Sequence, residues 1–310
     1  MIINTGMRTD IPAFFHKWFL KRIEEGFVLV RNPFNPSQVT KYILKPNVVD
    51  CLSFCTKNPH NMIPHLEKID IFNQFWFVTI TPYGKDIEPN VPDKKQVIED
   101  FISLSNHAGK KSVALRYDPI FINEKFDVNM HIKCFDKLLK QLKDYTEDCT
   151  ISFLDMYDKV KKNAPGIRPP NEKEEIEIAK AFAKIGKENN ITIHLCCENE
   201  NLAKYGLDTT GCMSKEIIEK AIGANIKPPK NMYKRDGCNC VLGNDIGAYN
   251  TCMHLCKYCY ANYNKDIVEE NMKHHNPDSP FLIGESKEDD KISIANQISW
   301  IDTNYQISLI

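Results

Sequence analysis

Three cysteines, Cys252, Cys256 and Cys259, stand in the stretch TCMHLCKYCYAN, residues 251 to 262, at the spacing C-x3-C-x2-C, with Tyr258 just before the last. Thiolates so spaced can wrap one corner of a cubane iron–sulfur cluster. Each binds a different iron, and the fourth iron takes no ligand from the loop. Twelve cysteines scattered at random over 310 positions would give this triplet in roughly 2% of such chains. The spacing is therefore signal, although it does not name the metal. Zinc would need a fourth ligand, from Cys238, Cys240 or His254. Structural zinc sites usually carry two C-x2-C pairs, or one with a spaced histidine pair, and only one C-x2-C exists here.

Eight of the twelve cysteines fall between Cys196 and Cys259 inclusive. One of the pair Cys196–Cys197, with Cys212, Cys238 and Cys240, would supply four thiolates for a second cluster. Cys196 is the better choice of the pair, because it ends a predicted strand and neighbours on a strand point opposite ways. A zinc site, or four buried small hydrophobes, would use the same residues. Cys51, Cys55, Cys134 and Cys149 sit within strand or helix patterns and read as core.

The elements that must position these thiols alternate. Short runs rich in Val, Ile, Phe and Thr predict strands over Ile2–Asn4, Val48–Phe54, Phe75–Thr81, Val113–Tyr117, Thr150–Leu154 and Ile191–Cys196. Helical patterns fall between them, over Pro12–Glu24, Met62–Lys68, Lys94–His107, Asn129–Asp144 and Glu172–Asn189, with Asp93 and Asn171 as N-caps. Strand–helix alternation implies βαβ units and a parallel sheet. Six units without a G-x-G-x-x-G after the first strand favour an α/β fold of full or partial (β/α) barrel type. The stretch EGFVLVRNPFNPSQVTKYILKP interrupts the rhythm and reads as an inserted β-hairpin. Residues 1–196 form the barrel body in this reading. Residues 197–262 form a cysteine-rich region completing the same domain, with a short helix near Ser214–Ile222. Residues 263–310 form a tail packed on the domain.

With 40 basic and 41 acidic residues, the chain lacks the positive balance of a bulk nucleic-acid binder. No apolar run approaches the ~20 residues that span a bilayer, and the N-terminus carries no signal pattern. The expected location is the cytoplasm, where clustered cysteines more often bind metal than form disulfides. No G-x-S-x-G, H-E-x-x-H or phosphate-binding G-x-x-x-x-G-K-[ST] occurs.

The spacing C-x3-C-x-aromatic-C resembles the signature of radical S-adenosylmethionine (SAM) enzymes. Cys252, Cys256 and Cys259 match the cluster ligands and Tyr258 the aromatic position. The resemblance implies a [4Fe–4S] cluster whose open iron is chelated by SAM, reductive cleavage of SAM to a 5′-deoxyadenosyl radical, and a barrel fold. It also implies a reductant such as flavodoxin or ferredoxin. In most of that superfamily the motif follows the first barrel strand, whereas here it follows the last predicted one. A circular permutation reconciles the two. Over residues 8–262 the chain resembles the domain of unknown function (DUF) 1848 family, in RTDIPAFF, GFVLVRNPFNPSQV, VVDCLSFCTKNP, TITPYG, LRYDPI, ISFLDMYDKV and DIGAYNTCMHLCKYCYAN. TITPYG and RYDPI are also similar to stretches of spore photoproduct lyase-like radical SAM proteins.

Active sites of (β/α) barrels lie at the C-terminal ends of the strands, and polar residues cluster at the predicted ends. SAM presents a carboxylate and an ammonium, which call for an arginine and acidic partners. Arg8, Asp10, Glu198 and Thr81 are accordingly expected, with Tyr258, around the cofactor, and Arg116, Asp118 and Tyr83 around an unknown substrate. Salt bridges and caps before Pro12 and Pro119 would use the same residues. Two other functions stay open: an iron–sulfur electron-transfer or sensor protein without SAM chemistry, and a zinc-stapled nucleic-acid-binding module.

Overall fold

The computed structural model describes residues 1–230 and 237–303, so parts of the cysteine-rich region (231–236) and of the tail (304–310) lie outside the described residues. The strands are β1 (Ile2–Asn4), β2 (Phe27–Arg31), β3 (Gln38–Ile43), β4 (Cys51–Thr56), β5 (Gln74–Thr79), β6 (Val113–Ile120), β7 (Asp148–Phe153), β8 (Thr192–Leu195), β9 (Asn244–Asp245) and β10 (Lys291–Ile294). The helices are α1 (Ile11–Phe14), α2 (His16–Glu25), α3 (Lys94–Ala108), α4 (Val128–Leu142), α5 (Asp158–Asn163), α6 (Glu172–Glu188), α7 (Lys215–Ile222) and α8 (Lys265–Lys273).

Seven strands form one parallel sheet in the order β8-β7-β6-β5-β4-β1-β9. Parallel strands covered on both faces read as continuous apolar runs, and all six residues of β5, QFWFVT, are buried. Phe54 stacks on Trp76 at 3.8 Å between β4 and β5, and Phe135 stacks on Phe182 at 3.7 Å between α4 and α6. Asp93 and Asn171 cap α3 and α6 as expected, the latter in a capping box with Glu174.

The helix expected over Pro12–Glu24 is two helices. Asp10 accepts from the Ala13 amide to start α1, and Phe15 leaves helical geometry (φ −129°) as its ring enters the core. The Met62–Lys68 segment is a 3-10 helix, Ile63–Ile69, with Pro64 in its first turn. The expected hairpin is present as β2 and β3, which pair antiparallel. The tail lies on the domain and adds β10 parallel to β3. It is fastened by Asp50, which accepts from Ser299 Oγ (2.5 Å), the Trp300 amide (2.6 Å) and the N-terminal ammonium (2.5 Å).

Segments from opposite ends of the strand order also meet. Cys212, beyond β8, lies 3.4 Å from Cys240, ahead of β9, and the Val241 amide donates to the Met213 carbonyl at 2.7 Å. Among the described residues no helix is long and apolar enough to cross a membrane.

Candidate functional site

A cavity of about 600 Å³ opens at the C-terminal ends of the parallel strands. Its lining comes from the segments after β1, β4, β7 and β8, from the ends of β5 and β6, and from the two cysteine-bearing stretches. Cys252, Cys256 and Cys259 all face it, as do Cys196, Cys197, Cys212, Cys238 and Cys240. Two groups of thiols far apart in sequence thus share one chamber.

The triad is carried on a loop that β9 feeds. Asn250 and Leu255 hold positive φ (57° and 55°), a conformation uncommon for leucine. The turn at Leu255 brings Cys256 back toward Cys252. The loop is strapped from outside: Asn90 donates to the Met253 carbonyl (2.7 Å), the Lys257 amide to the Ile87 carbonyl (3.0 Å), and Asn262 to the Cys252 carbonyl (2.7 Å). The Ala261 amide donates to Cys259 Sγ at 3.3 Å. Burial pushes the Cys252 thiol up and the Cys256 thiol to about 12, so metal binding there must displace protons.

Tyr258 is anchored by a carboxylate that sequence reading did not single out. Glu88, fully buried, accepts from the Tyr258 hydroxyl, Thr81 Oγ1 (2.7 Å), Lys57 Nζ (2.9 Å) and Lys94 Nζ. Burial alone would raise its pKa, but the Lys57 and Lys94 ammoniums outweigh it and hold the carboxyl at about 2. Glu88 belongs to no motif. The only hint was that a buried tyrosine hydroxyl demands a partner.

Asp10 lines the cavity and organises its rim. Besides capping α1, it accepts from the Lys57 amide (2.8 Å) and lies 2.8 Å from His254 Nε2. His254 packs edge-on against Phe14 at 4.6 Å, so its ring is held by Asp10 and not aimed at the thiols. Arg116 and Asp118 form an ion pair facing the cavity. The guanidinium lies over the Phe77 ring at 4.9 Å, with Nη1 3.7 Å from Cys212 Sγ. Burial would discharge Arg116, but Asp118 and the neighbouring thiols more than compensate and keep it protonated.

In the second thiol group Cys212 touches Cys196 at 3.6 Å and Cys240 at 3.4 Å, and the Met213 amide donates to Cys240 Sγ at 3.3 Å. Hydrogen bonds from Cys212 and Cys238 pull the Cys240 pKa well down. Cys197 faces the cavity too, contrary to the alternation expected for the pair. The strand has ended, and a positive φ of 58° turns its side chain back.

Four expected site residues do not line this cavity. The Tyr83 hydroxyl donates to the Pro119 carbonyl (2.8 Å) and accepts from the Phe121 amide (3.2 Å), with its ring stacked on Phe121 at 4.1 Å. Thr81 is taken up by Glu88. Glu198 accepts from the Phe153 amide at 2.7 Å, and burial pushes its carboxyl up to about 8. Arg8 pairs with Asp245 at 2.9 Å and faces an adjacent cavity. Cys55, expected in the core, packs against it and also lines the main chamber. Among the described residues, no three His, Cys, Asp or Glu side chains are already arranged to hold a metal ion.

No curated protein and no solved structure matches the chain. The family model described as "Domain of unknown function (DUF1848)" matches residues 2–261, all seven strands of the parallel sheet and the cysteine loop as far as Ala261, and the chain belongs to that family.

Proposed function

We propose that this protein is a radical SAM-like iron–sulfur enzyme whose [4Fe–4S] cluster is held by Cys252, Cys256 and Cys259. One observation carries the reading: the three cysteines of a C-x3-C-x-aromatic-C motif line a single cavity at the C-terminal ends of a parallel sheet, on a loop strapped by Asn90 and anchored through Tyr258 and Glu88. The residues fit the group. A lone zinc needs thiolates converging within ~2.3 Å of one point, whereas a cubane takes each thiolate on a separate iron. Three thiols of one short loop facing a single cavity suit the cubane. With SAM at the iron that no cysteine ligates, the cluster would supply the electron for reductive cleavage of SAM to a 5′-deoxyadenosyl radical, which removes a hydrogen atom from the substrate.

The chain's own residues then have distinct tasks. Arg116, kept charged by Asp118, offers a guanidinium to a carboxylate or phosphate. Asp10 and His254 fix the rim against the cysteine loop, and Phe77, Leu154, Met213 and Leu242 keep the chamber walls apolar. Tyr83, Thr81, Glu198 and Arg8 act one layer out as positioning residues. Cys196, Cys212, Cys238 and Cys240 hold a second thiolate-bound centre, with Cys197 adjacent. The 3.4 and 3.6 Å sulfur contacts there suit thiolates that converge on a single tetrahedral ion, and a cluster would need them to spread. A partial, circularly permuted barrel accounts for the frame. β9 is late in sequence but terminal in the strand order, beside β1, and the motif follows it. The Cys212–Cys240 contact brings the two sheet margins together. A cytoplasmic location with flavodoxin or ferredoxin as electron donor completes the reading.

The test is 5′-deoxyadenosine release from SAM by anaerobically reconstituted, dithionite-reduced protein. Release by wild type and by Cys134→Ala, a cysteine on α4 away from the chamber, but not by Cys256→Ala supports the reading. No release from an iron-loaded wild type sinks it.

A further inference from the structure

The main chamber shares Tyr157, Tyr260 and Ala261 with a second cavity of about 780 Å³, walled on its far side by the β2–β3 hairpin and its Pro/Asn turn. No task has so far fallen to that hairpin. The second cavity has an unusual lining. Among the described residues its charged groups are Arg8, Arg31 and Lys159, with no carboxylate. The acids that brace the two arginines, Asp245 and Asp290, sit behind them and outside the lining, so the guanidiniums are oriented while their partners stay out of a ligand's way. Lys159 donates to the Tyr260 carbonyl across the boundary between the chambers.

Four of its five aromatic side chains are also exposed. Tyr157, Tyr249 and Tyr260 are 41–49% accessible and Phe34 is 93% accessible, and all four line this one cavity. The Arg8 guanidinium lies 5.9 Å from the Tyr249 ring centroid. Exposed rings gathered in one concavity have no folding rationale, since each would be better buried. Rings interleaved with cations and free of carboxylates match a ligand that is planar and anionic at once, since every nucleobase has a face to stack and each phosphate a charge to meet.

We propose that this second cavity binds a nucleotide, by stacking of its base on the exposed tyrosines and by contact of its phosphate with Lys159 and Arg8, and delivers the attached reacting group past Tyr157 and Tyr260 into the main chamber. The volume lies within the range of small-ligand sites, ~300–1,000 Å³. Binding at this site is independent of the cluster reading, because none of its groups is a metal ligand, whereas delivery of a reacting group rests on that reading.

Fluorescence anisotropy of the full-length protein, with a labelled eight-nucleotide single strand as probe and AMP or dTMP as competitors, tests it. The strand should bind with an affinity that falls with salt, at a log–log slope of about −0.7 per phosphate met. Tyr249→Ala should weaken binding about tenfold, and Lys159→Gln should reduce the salt slope by about that one increment. Neither side chain is buried, and circular dichroism verifies the fold. Competition by a mononucleotide at concentrations matching the strand's affinity identifies a free nucleotide as the ligand. Competition only by strands identifies a nucleic-acid segment. No binding of either at millimolar concentration overturns the proposal, as does binding that both variants leave unchanged.

Discussion

Replacing Glu88 by Gln tests how the cysteine loop is anchored. The substitution keeps the shape but turns one acceptor oxygen into an amide donor and removes the charge that Lys57, Lys94 and Tyr258 converge on. Those partners hold the carboxyl at about 2 against its ordinary 4.5, and at ~1.4 kcal/mol per pH unit the ionised form contributes about 3 kcal/mol to the folded state. Breaking a buried ion pair by removing one partner costs a similar ~3–5 kcal/mol. The sign follows from a depressed carboxyl pKa. The contribution is complete above the unfolded value of 4.5 and is lost as pH falls toward about 2. Urea unfolding of wild type and Glu88→Gln between pH 7 and pH 3 should therefore show a gap near 3 kcal/mol at neutral pH that narrows steadily below pH 4.5. Iron loading of the variant should fall as well, because Tyr258 loses its charged acceptor next to Cys256 and Cys259. A gap under about 0.5 kcal/mol at pH 7, below the range for a broken buried pair, or one that does not change with pH, would refute the anchoring role.

Other predictions concern the frame and the chamber. A Cβ added at Gly243 would lie 2.3 Å from the Ile2 carbonyl oxygen, so Gly243→Ala should detach β9 from β1; the check is lower iron content together with a lower melting temperature. Asp10→Asn removes the charge that His254 and the Lys57 amide share, and should lower stability by ~1–2 kcal/mol in urea titrations. Arg116→Gln should leave cluster content intact and depress 5′-deoxyadenosine formation, measured by chromatography. Chelation of the metal should lower the melting temperature, because a ligand bound only to the folded state stabilises it.

The parallel sheet was legible because strands buried on both faces must be continuously apolar, and β5 is nearly unmistakable on that ground. The helix break at Phe15 was not, since α1 and α2 share one apolar rhythm and only the ring's path into the core separates them. β9 was invisible: Asn244 and Asp245 have no strand propensity, and they pair because β1 offers an open edge. Spacing alone singled out the triad, position at strand ends singled out Asp10, Arg116 and Asp118, and all six line the one cavity. The same rule misplaced Tyr83, because beyond Thr79 the chain turns outward and the ring packs among Phe121, Phe126 and Tyr258. Alternation misjudged Cys197 for a related reason: it holds within a strand, and a left-handed residue just past the end undoes it. Glu88 lies in a loop between β5 and α3, where nothing local reveals that four donors converge.

On the proposed function, the loop at Cys252, Cys256 and Cys259 holds a cubane cluster with one iron open to SAM. Electron paramagnetic resonance of the anaerobically reconstituted, dithionite-reduced protein tests it most directly, with and without SAM, in wild type and in a triple Cys196/Cys212/Cys240→Ala variant that removes the second thiol group. Both proteins should give a reduced [4Fe–4S] signal that SAM perturbs. A colourless zinc protein, or a cluster signal that SAM leaves unchanged, would contradict it.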